Sequence, residues 1–273
     1  MKSALSVPHR RSPHRQSSLI IAIANQKGGV GKTTTTINLA AAIVGMGRPV
    51  LVIDLDPQGN TSTGLGVQET HRGSYALIAR NAVSSQVIQS TAVPGLSLIP
   101  AEPNLAGAEV ELVTSTDREY HLRMALSGLC HPASAHGLTV IDCPPSLGLL
   151  TLNALAAADA VLIPLQCEFF ALEGITHFVR TVERVRSRFN SALRVNGIVL
   201  TMYDRRNNLS ELVAADARGF FGERVYNTVI PRNVRVSEAP SHGQPVVVYD
   251  PRSPGAQAYI RLAREVLVRE QMT

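Results

Sequence analysis

Residues 25–36 read NQKGGVGKTTTT and put three glycines, two lysines and four threonines into twelve positions. A glycine-rich turn lets successive backbone N–H groups face one anion, and a helix beginning just after it adds the positive end of its dipole. That combination cradles the phosphates of a nucleotide. The pattern G-x-x-x-x-G-K-[ST] is met at Gly31, Lys32 and Thr33, but its first glycine is replaced by Gln26. In this reading Gly28, Gly29, Val30 and Gly31 form the turn, Lys32 lies across the β- and γ-phosphates, and the Thr33 hydroxyl ligates Mg²⁺, with Thr34 closing the phosphate-lining stretch.

Lys27 does not fit the pattern. The chain holds 26 basic residues, of which only three, at positions 2, 27 and 32, are lysine. Two of the three sit in this loop, which points to a need for a compact ammonium acting as a point charge on phosphate oxygens. Lys27 reads as a second cation for charge developing on the γ-phosphate. Three aspartates at strand ends complete the chemistry. Asp142, ending LTVID, stands where a magnesium-holding carboxylate would; Asp56, in DLDPQGN, could orient an attacking water; Asp54 could support either the metal or a switch loop. Catalysis would then rest on positioning and charge stabilisation by Lys27, Lys32 and Asp56.

The elements that must hold these groups are legible as alternating runs. LIIAIA (19–24) feeds the glycine loop, and TTTTINLAAAIVGMG reads as a helix closed by Gly45 and Gly47. PVLVID, LSLIPA, LTVIDCPP, AVLIPL, RVNGIVLTM, YNTVIP and QPVVVYD read as strands. LGLLTLNALAAA, residues 171–190, NLSELVAADARGFF and residues 255–270 read as helices. The expected fold class is α/β: a doubly wound, mainly parallel sheet with helices on both faces and ligands at the carboxyl ends of the strands. Every candidate residue lies at such an end. Residues 19–273 are expected to form a single domain behind a disordered basic tail, residues 1–18.

At 273 residues and 45% apolar composition the chain can bury a full core, and no run approaches the roughly 20 apolar residues of a membrane span. A cytoplasmic protein is expected. Cys130, Cys143 and Cys167 are odd in number and form no C-x-x-C pair, so neither a disulfide framework nor a zinc knuckle is suggested and the thiols are read as reduced packing residues. The net charge of +5 is uneven: residues 1–18 carry +4, residues 19–179 carry −5 and residues 180–273 carry +6. Basic ends of this kind are the footprint of a polyanionic partner.

KGGVGKT with its early lysine is the deviant Walker A signature. VLVIDLDPQGNTSTGLG, PAEPNLAGAEVEL, LTVIDCPPSLGLLTLNALAAADAVLIPLQCEFFALEG and IPRNVRVSEAPSHGQPVVVYDP resemble segments of the ParA/Soj chromosome-partitioning ATPases, from about residue 19 to the C-terminus. The resemblance implies a deviant Walker P-loop NTPase fold, ATP and Mg²⁺ as cofactors, slow hydrolysis and an ATP-dependent sandwich homodimer. It implies that Lys27 reaches the partner subunit's nucleotide, that Lys32 and Thr33 act in cis and that Asp56 positions the water. Met202, Pro231, Arg232 and Asn233 match segments that surround adenine, and Arg206 and Arg235 match arginines that contact DNA phosphates. The family's partners would be double-stranded DNA, bound without sequence preference on the nucleoid, and a ParB/Spo0J-type centromere-binding protein that stimulates hydrolysis, with no membrane.

Two departures stand out: the basic tail is longer than the family's usual start, and Pro254 replaces a commonly basic residue. A MinD-like membrane ATPase is the alternative; it would need a basic amphipathic helix at the end of the chain, whereas the helical stripe of Tyr259, Leu262, Ala263, Val266 and Leu267 reads as core packing in preference to a lipid face. An iron–sulfur reductase would need a second cysteine to accompany Cys143.

Overall fold

The computed structural model of the protein describes residues 19–67, 72–79, 86–127, 137–169 and 171–272. The expected tail, residues 1–18, and Cys130 lie outside them. Among the described residues one eight-stranded sheet runs in the order β3-β4-β2-β5-β1-β6-β7-β8. Its strands are β1 (Leu19–Ile23), β2 (Val50–Asp54), β3 (Gln89–Ser90), β4 (Leu96–Ile99), β5 (Leu138–Asp142), β6 (Ala160–Gln166), β7 (Arg194–Tyr203) and β8 (Val225–Pro231). Only the short edge strand β3 pairs antiparallel; every other pairing is parallel.

The central strands read as continuous apolar runs because both of their faces are covered. In β1, Ile21 and Ile23 face one core and Ala22 faces the other. The first core is closed by α1 (Lys32–Val44) and α11 (Pro254–Arg269), with α9 (Val234–Glu238) and α10 (Val246–Tyr249) beside them. The second is closed by α3 (Ser74–Ala79), α4 (Leu105–Glu111), α5 (His121–Ser127), α6 (Leu149–Ala157), α7 (Ala171–Arg188) and α8 (Asn208–Phe221). The short α2 (Asn60–Gly64) follows β2. Strand β1 sits between β5 and β6, and the chain winds away from it in both directions, so a crevice opens at its carboxyl end where the glycine loop lies.

One expectation is corrected here and one reading of the C-terminal helix is met. QPVVVYD does not form a strand: Val246–Tyr249 make one helical turn behind Pro245, Val246 is buried, and its N–H donates to Asn38 Oδ1 of α1 at 2.6 Å. Its three valines favour a strand only where a sheet edge receives them, and this segment packs on α1 and α11 instead. The stripe of Tyr259, Leu262, Ala263, Val266 and Leu267 is wholly buried against α1 and the sheet, so it is core and not a lipid face.

The turn after α2 passes the segment 239–243 with almost no clearance. Gly66 (φ 79°) and Gly243 (φ 63°) lie back to back, and a Cβ on Gly243 would stand 2.9 Å from the Gly66 Cα. Neither a left-handed side-chain-bearing residue nor an added methyl fits there. Gly243→Ala is expected to destabilise the fold by at least about 1–3 kcal/mol from the strained dihedrals alone, read as a lower urea midpoint.

Candidate active site

The loop between β1 and α1 is built to present N–H groups. Gly29 (φ 75°) and Gly31 (φ 86°) take left-handed conformations, and Gly31 is the N-cap of α1, with no capping side chain and no acid in the first turn. The first amides of α1 are therefore left to an outside acceptor, as an anion site requires. Residues 26–29 are exposed while Val30 and Lys32 are buried. Two side chains brace the loop: Thr201 at the end of β7 donates to the Val30 carbonyl at 2.9 Å, and Asn25 accepts from the Lys27 N–H at 3.1 Å while donating to the Pro164 carbonyl at 2.7 Å.

The two lysines of the loop are held differently. Lys32 is only 6% exposed and its ammonium donates to the Lys27 carbonyl at 3.1 Å. Burial lowers its pKa, against the opposing pull chiefly of Asp142. Lys27 points the other way, with its side chain 47% exposed and paired with Glu168.

Asp142 is fully buried and collects three hydroxyls: Thr33 at 2.8 Å, Thr36 at 3.2 Å and Thr61 at 2.7 Å. Thr33 and Thr36 reach it together because residues three apart share a helix face. Asp54 lies beside Asp142 in register, and its oxygens accept from the Asp56 N–H (3.1 Å), the Ser62 N–H (2.9 Å) and the Ser62 hydroxyl (2.7 Å). Of the two roles open to Asp54, these bonds match bracing of the 56–62 loop. Asp56, almost buried, accepts the Gln58 N–H at 3.1 Å.

Burial raises the pKa of both Asp54 and Asp142. In Asp54 the neighbouring Asp142 adds to it and Ser62 opposes it; in Asp142 the hydroxyls of Thr61 and Thr33 oppose it. Three buried carboxylates, Asp54, Asp56 and Asp142, with one buried ammonium make an oxygen-rich site that fits a divalent cation. Among the described residues no cluster of three His, Cys, Asp or Glu could hold a metal unaided. Mg²⁺ takes one or two protein oxygens and completes its shell with phosphates and water, and the Thr33 hydroxyl and Asp142 are the oxygens that could serve it here.

The remaining predicted residues fall in two places. Met202 (φ 50°) and Pro231–Asn233 meet at the ends of β7 and β8, where Tyr203 pairs with Pro231 and the Arg232 N–H donates to the Tyr203 carbonyl at 3.0 Å. Left-handed backbone at a methionine is costly and marks a constrained turn. Asn233 Oδ1 is buried there without a hydrogen-bond partner. Arg206, on the turn after β7, and Arg235, in α9, are exposed at the same end of the sheet, Arg206 bonded twice to Asp204 at 3.1 Å and Arg235 paired with Glu238 (2.9 Å) and Asp250 (3.5 Å). Cys143 and Cys167 are buried free thiols, their pKa values raised by burial.

A family model described as an AAA domain matches residues 18–195. The chromosome partitioning protein ParA of Caulobacter vibrioides is 56% identical over 254 residues, which span 92% of this chain and 95% of that protein. This chain belongs to the ParA/Soj family of chromosome-partitioning ATPases. The ParA/Soj relative from Bacillus subtilis, the sporulation initiation inhibitor protein Soj, is 49% identical over 249 residues, 90% of this chain and 97% of that one. Among solved structures, one of cobyrinic acid a,c-diamide synthase from Mycobacterium smegmatis with a bound ATP analogue and magnesium superposes with a TM-score of 0.81 at 36% identity, covering 93% of this chain and 96% of that one. As a ParA/Soj member the chain is an ATPase, and its sheet is that of the P-loop NTPases.

Sequence reasoning did not reach Asn25, Thr36, Thr61, Ser62, Glu168 or Thr201. The hydroxyl-rich runs TTTT and NTST were the available signal, since hydroxyls placed after a strand-end aspartate are natural donors to it. Ser62→Ala removes a donor from a buried carboxylate and is expected to destabilise the protein by about 1–3 kcal/mol, read as a lower urea midpoint at unchanged slope.

Proposed function

We propose that the protein is a DNA-partitioning switch: an ATP- and Mg²⁺-dependent ATPase whose ATP-bound homodimer binds double-stranded DNA without sequence preference. A ParB/Spo0J-type partner would stimulate hydrolysis and release the DNA. The observation that carries this reading is the division of labour between the lysines. Lys32 is buried inside its own cradle, while Lys27 stands on the exposed lip, about half accessible, where a second subunit's nucleotide could meet it.

In this reading residues 19–273 act as one ATPase domain and the backbone of residues 27–34 wraps the phosphates. Lys32 neutralises the β- and γ-phosphates in cis. The Thr33 hydroxyl and Asp142 hold Mg²⁺, which when bound offsets charge on the phosphate oxygens. Asp54 braces the loop that carries Asp56, and Asp56 orients the attacking water. Met202, Pro231, Arg232 and Asn233 surround the base, the orphaned Asn233 oxygen accepting from its amino group. Lys27 of each subunit stabilises the charge that develops on the other's γ-phosphate. Arg206 and Arg235 face DNA phosphates, within the segment that carries +6. The family assignment, the depth of Lys32 and the exposed arginines support it, and a nucleoid-associated cytoplasmic protein follows.

Lys32→Ala is expected to abolish ATP binding by calorimetry, whereas Lys27→Gln keeps binding and loses dimerisation or turnover. Wild-type protein with ATP should be retained on arbitrary duplex DNA, retention falling steeply with salt and absent in Lys27→Gln. Equal retention with ATP, ADP or no nucleotide would overturn the reading, and sedimentation with liposomes in place of DNA would favour the MinD-like alternative.

A further inference from the structure

Lys27 is not free in the subunit to which it belongs. Its ammonium is ion-paired with Glu168, on the turn between β6 and α7. Glu168 Oε1 is itself sequestered from solvent and receives no hydrogen bond of acceptable geometry from any described residue, so the ammonium is its one counter-charge among them. Both ends of the pair are anchored to β6. On the lysine side, the Ala24 N–H donates to the Leu162 carbonyl at 3.2 Å, and Asn25 ties the Lys27 backbone to Pro164. On the glutamate side, the Glu168 N–H donates to the Gln166 carbonyl at 3.0 Å and its own carbonyl accepts the Ala171 N–H, at the start of α7, also at 3.0 Å.

We infer that Glu168 is a positioning residue that holds the Lys27 ammonium on its own subunit until a partner presents a triphosphate. The inference rests on the functional reading above, in which Lys27 acts across a dimer interface. When Lys27 leaves, a sequestered carboxylate oxygen loses its counter-charge, so departure costs free energy even though the pair is partly exposed. A ligand of greater negative charge must offset that cost. A triphosphate does so better than a diphosphate, so the pair sets a threshold that the triphosphate clears more readily. The glutamate also keeps the amine from wandering over its own cradle, where Lys32 already serves.

Two measurements on the full chain test this. The first is the rate at which an amine-reactive acylating reagent labels Lys27 in nucleotide-free monomer, read by peptide mass spectrometry against Lys2 of the same chain. Glu168→Gln is expected to raise it about 2–5-fold, the range a partly exposed ion pair supports, and Glu168→Asp to change it less. The second is dimerisation by sedimentation velocity with a non-hydrolysable ATP analogue: Glu168→Gln is expected to tighten the ATP-analogue dimer by a similar factor. Unchanged labelling of Lys27 overturns the pairing. Faster labelling with an unchanged or weaker dimer overturns the restraint. Wild-type protein that fails to dimerise with the analogue contradicts the functional reading itself, and so is distinguishable from a wild type that dimerises while Glu168→Gln does no better. Unchanged circular dichroism of both variants excludes misfolding as the cause.

Discussion

A carboxylate with no exposed surface, Asp142, governs the layout of this molecule. Ending the central strand β5, it can stay buried only if donors converge on it, and three threonine hydroxyls from two different helices do so. That requirement places the first turn of α1 over β5 and draws α2 in from the side. Asp54 repeats the arrangement one strand away, with Ser62 and the Asp56 amide as its donors. The hydroxyls compensate the carboxylates as hydrogen-bond acceptors, but they do not neutralise their charge. The site is thus folded and satisfied in its hydrogen bonds while still short of cations, which is the condition in which a metal–phosphate complex is welcomed.

The same economy separates the lysines. An ammonium buried beneath a glycine loop must be small enough for the loop to close over it, and Lys32 does this by bonding a carbonyl of the loop itself. A guanidinium spreads its donors in a plane and suits flat, exposed recognition, which matches the way this chain uses arginine on its outer turns. Arg206 and Arg235 are both paired with carboxylates, Arg206 with Asp204 of its own turn and Arg235 with Glu238 of α9 and Asp250 beyond α10, so neither presents bare charge.

Much of this was readable from the chain alone, for identifiable reasons. Short β-branched runs buried on both faces, the Ala-rich α1 and aspartates at strand ends carry local signals, and the observed strands of the central sheet follow them closely. The segment from 60 to 127 was less legible: α2, α3, α4 and α5 are five to seven residues long, too short for a helical period to declare itself. The Val246–Val248 run misled because its partner is α1 and no strand receives it. At the site, the loop and the strand-end aspartates were legible as motifs, whereas Thr61, Thr201 and Glu168 act through contacts with residues far along the chain, which no local pattern encodes.

Those long contacts also say something about how the protein is made. The glycine loop leaves the ribosome early, but the hydroxyl that braces it belongs to Thr201, 171 positions later. Asn38 of α1 meets the Val246 amide 208 positions on, Thr35 meets Tyr259 after 224, and the turn at Gly66 closes only against Gly243. A nascent chain that has exposed its entire phosphate loop still lacks the walls that hold it. The contacts that wall the nucleotide cradle can therefore all form only after α11 has been made and can dock on α1, and a chain that stops short of it lacks part of them.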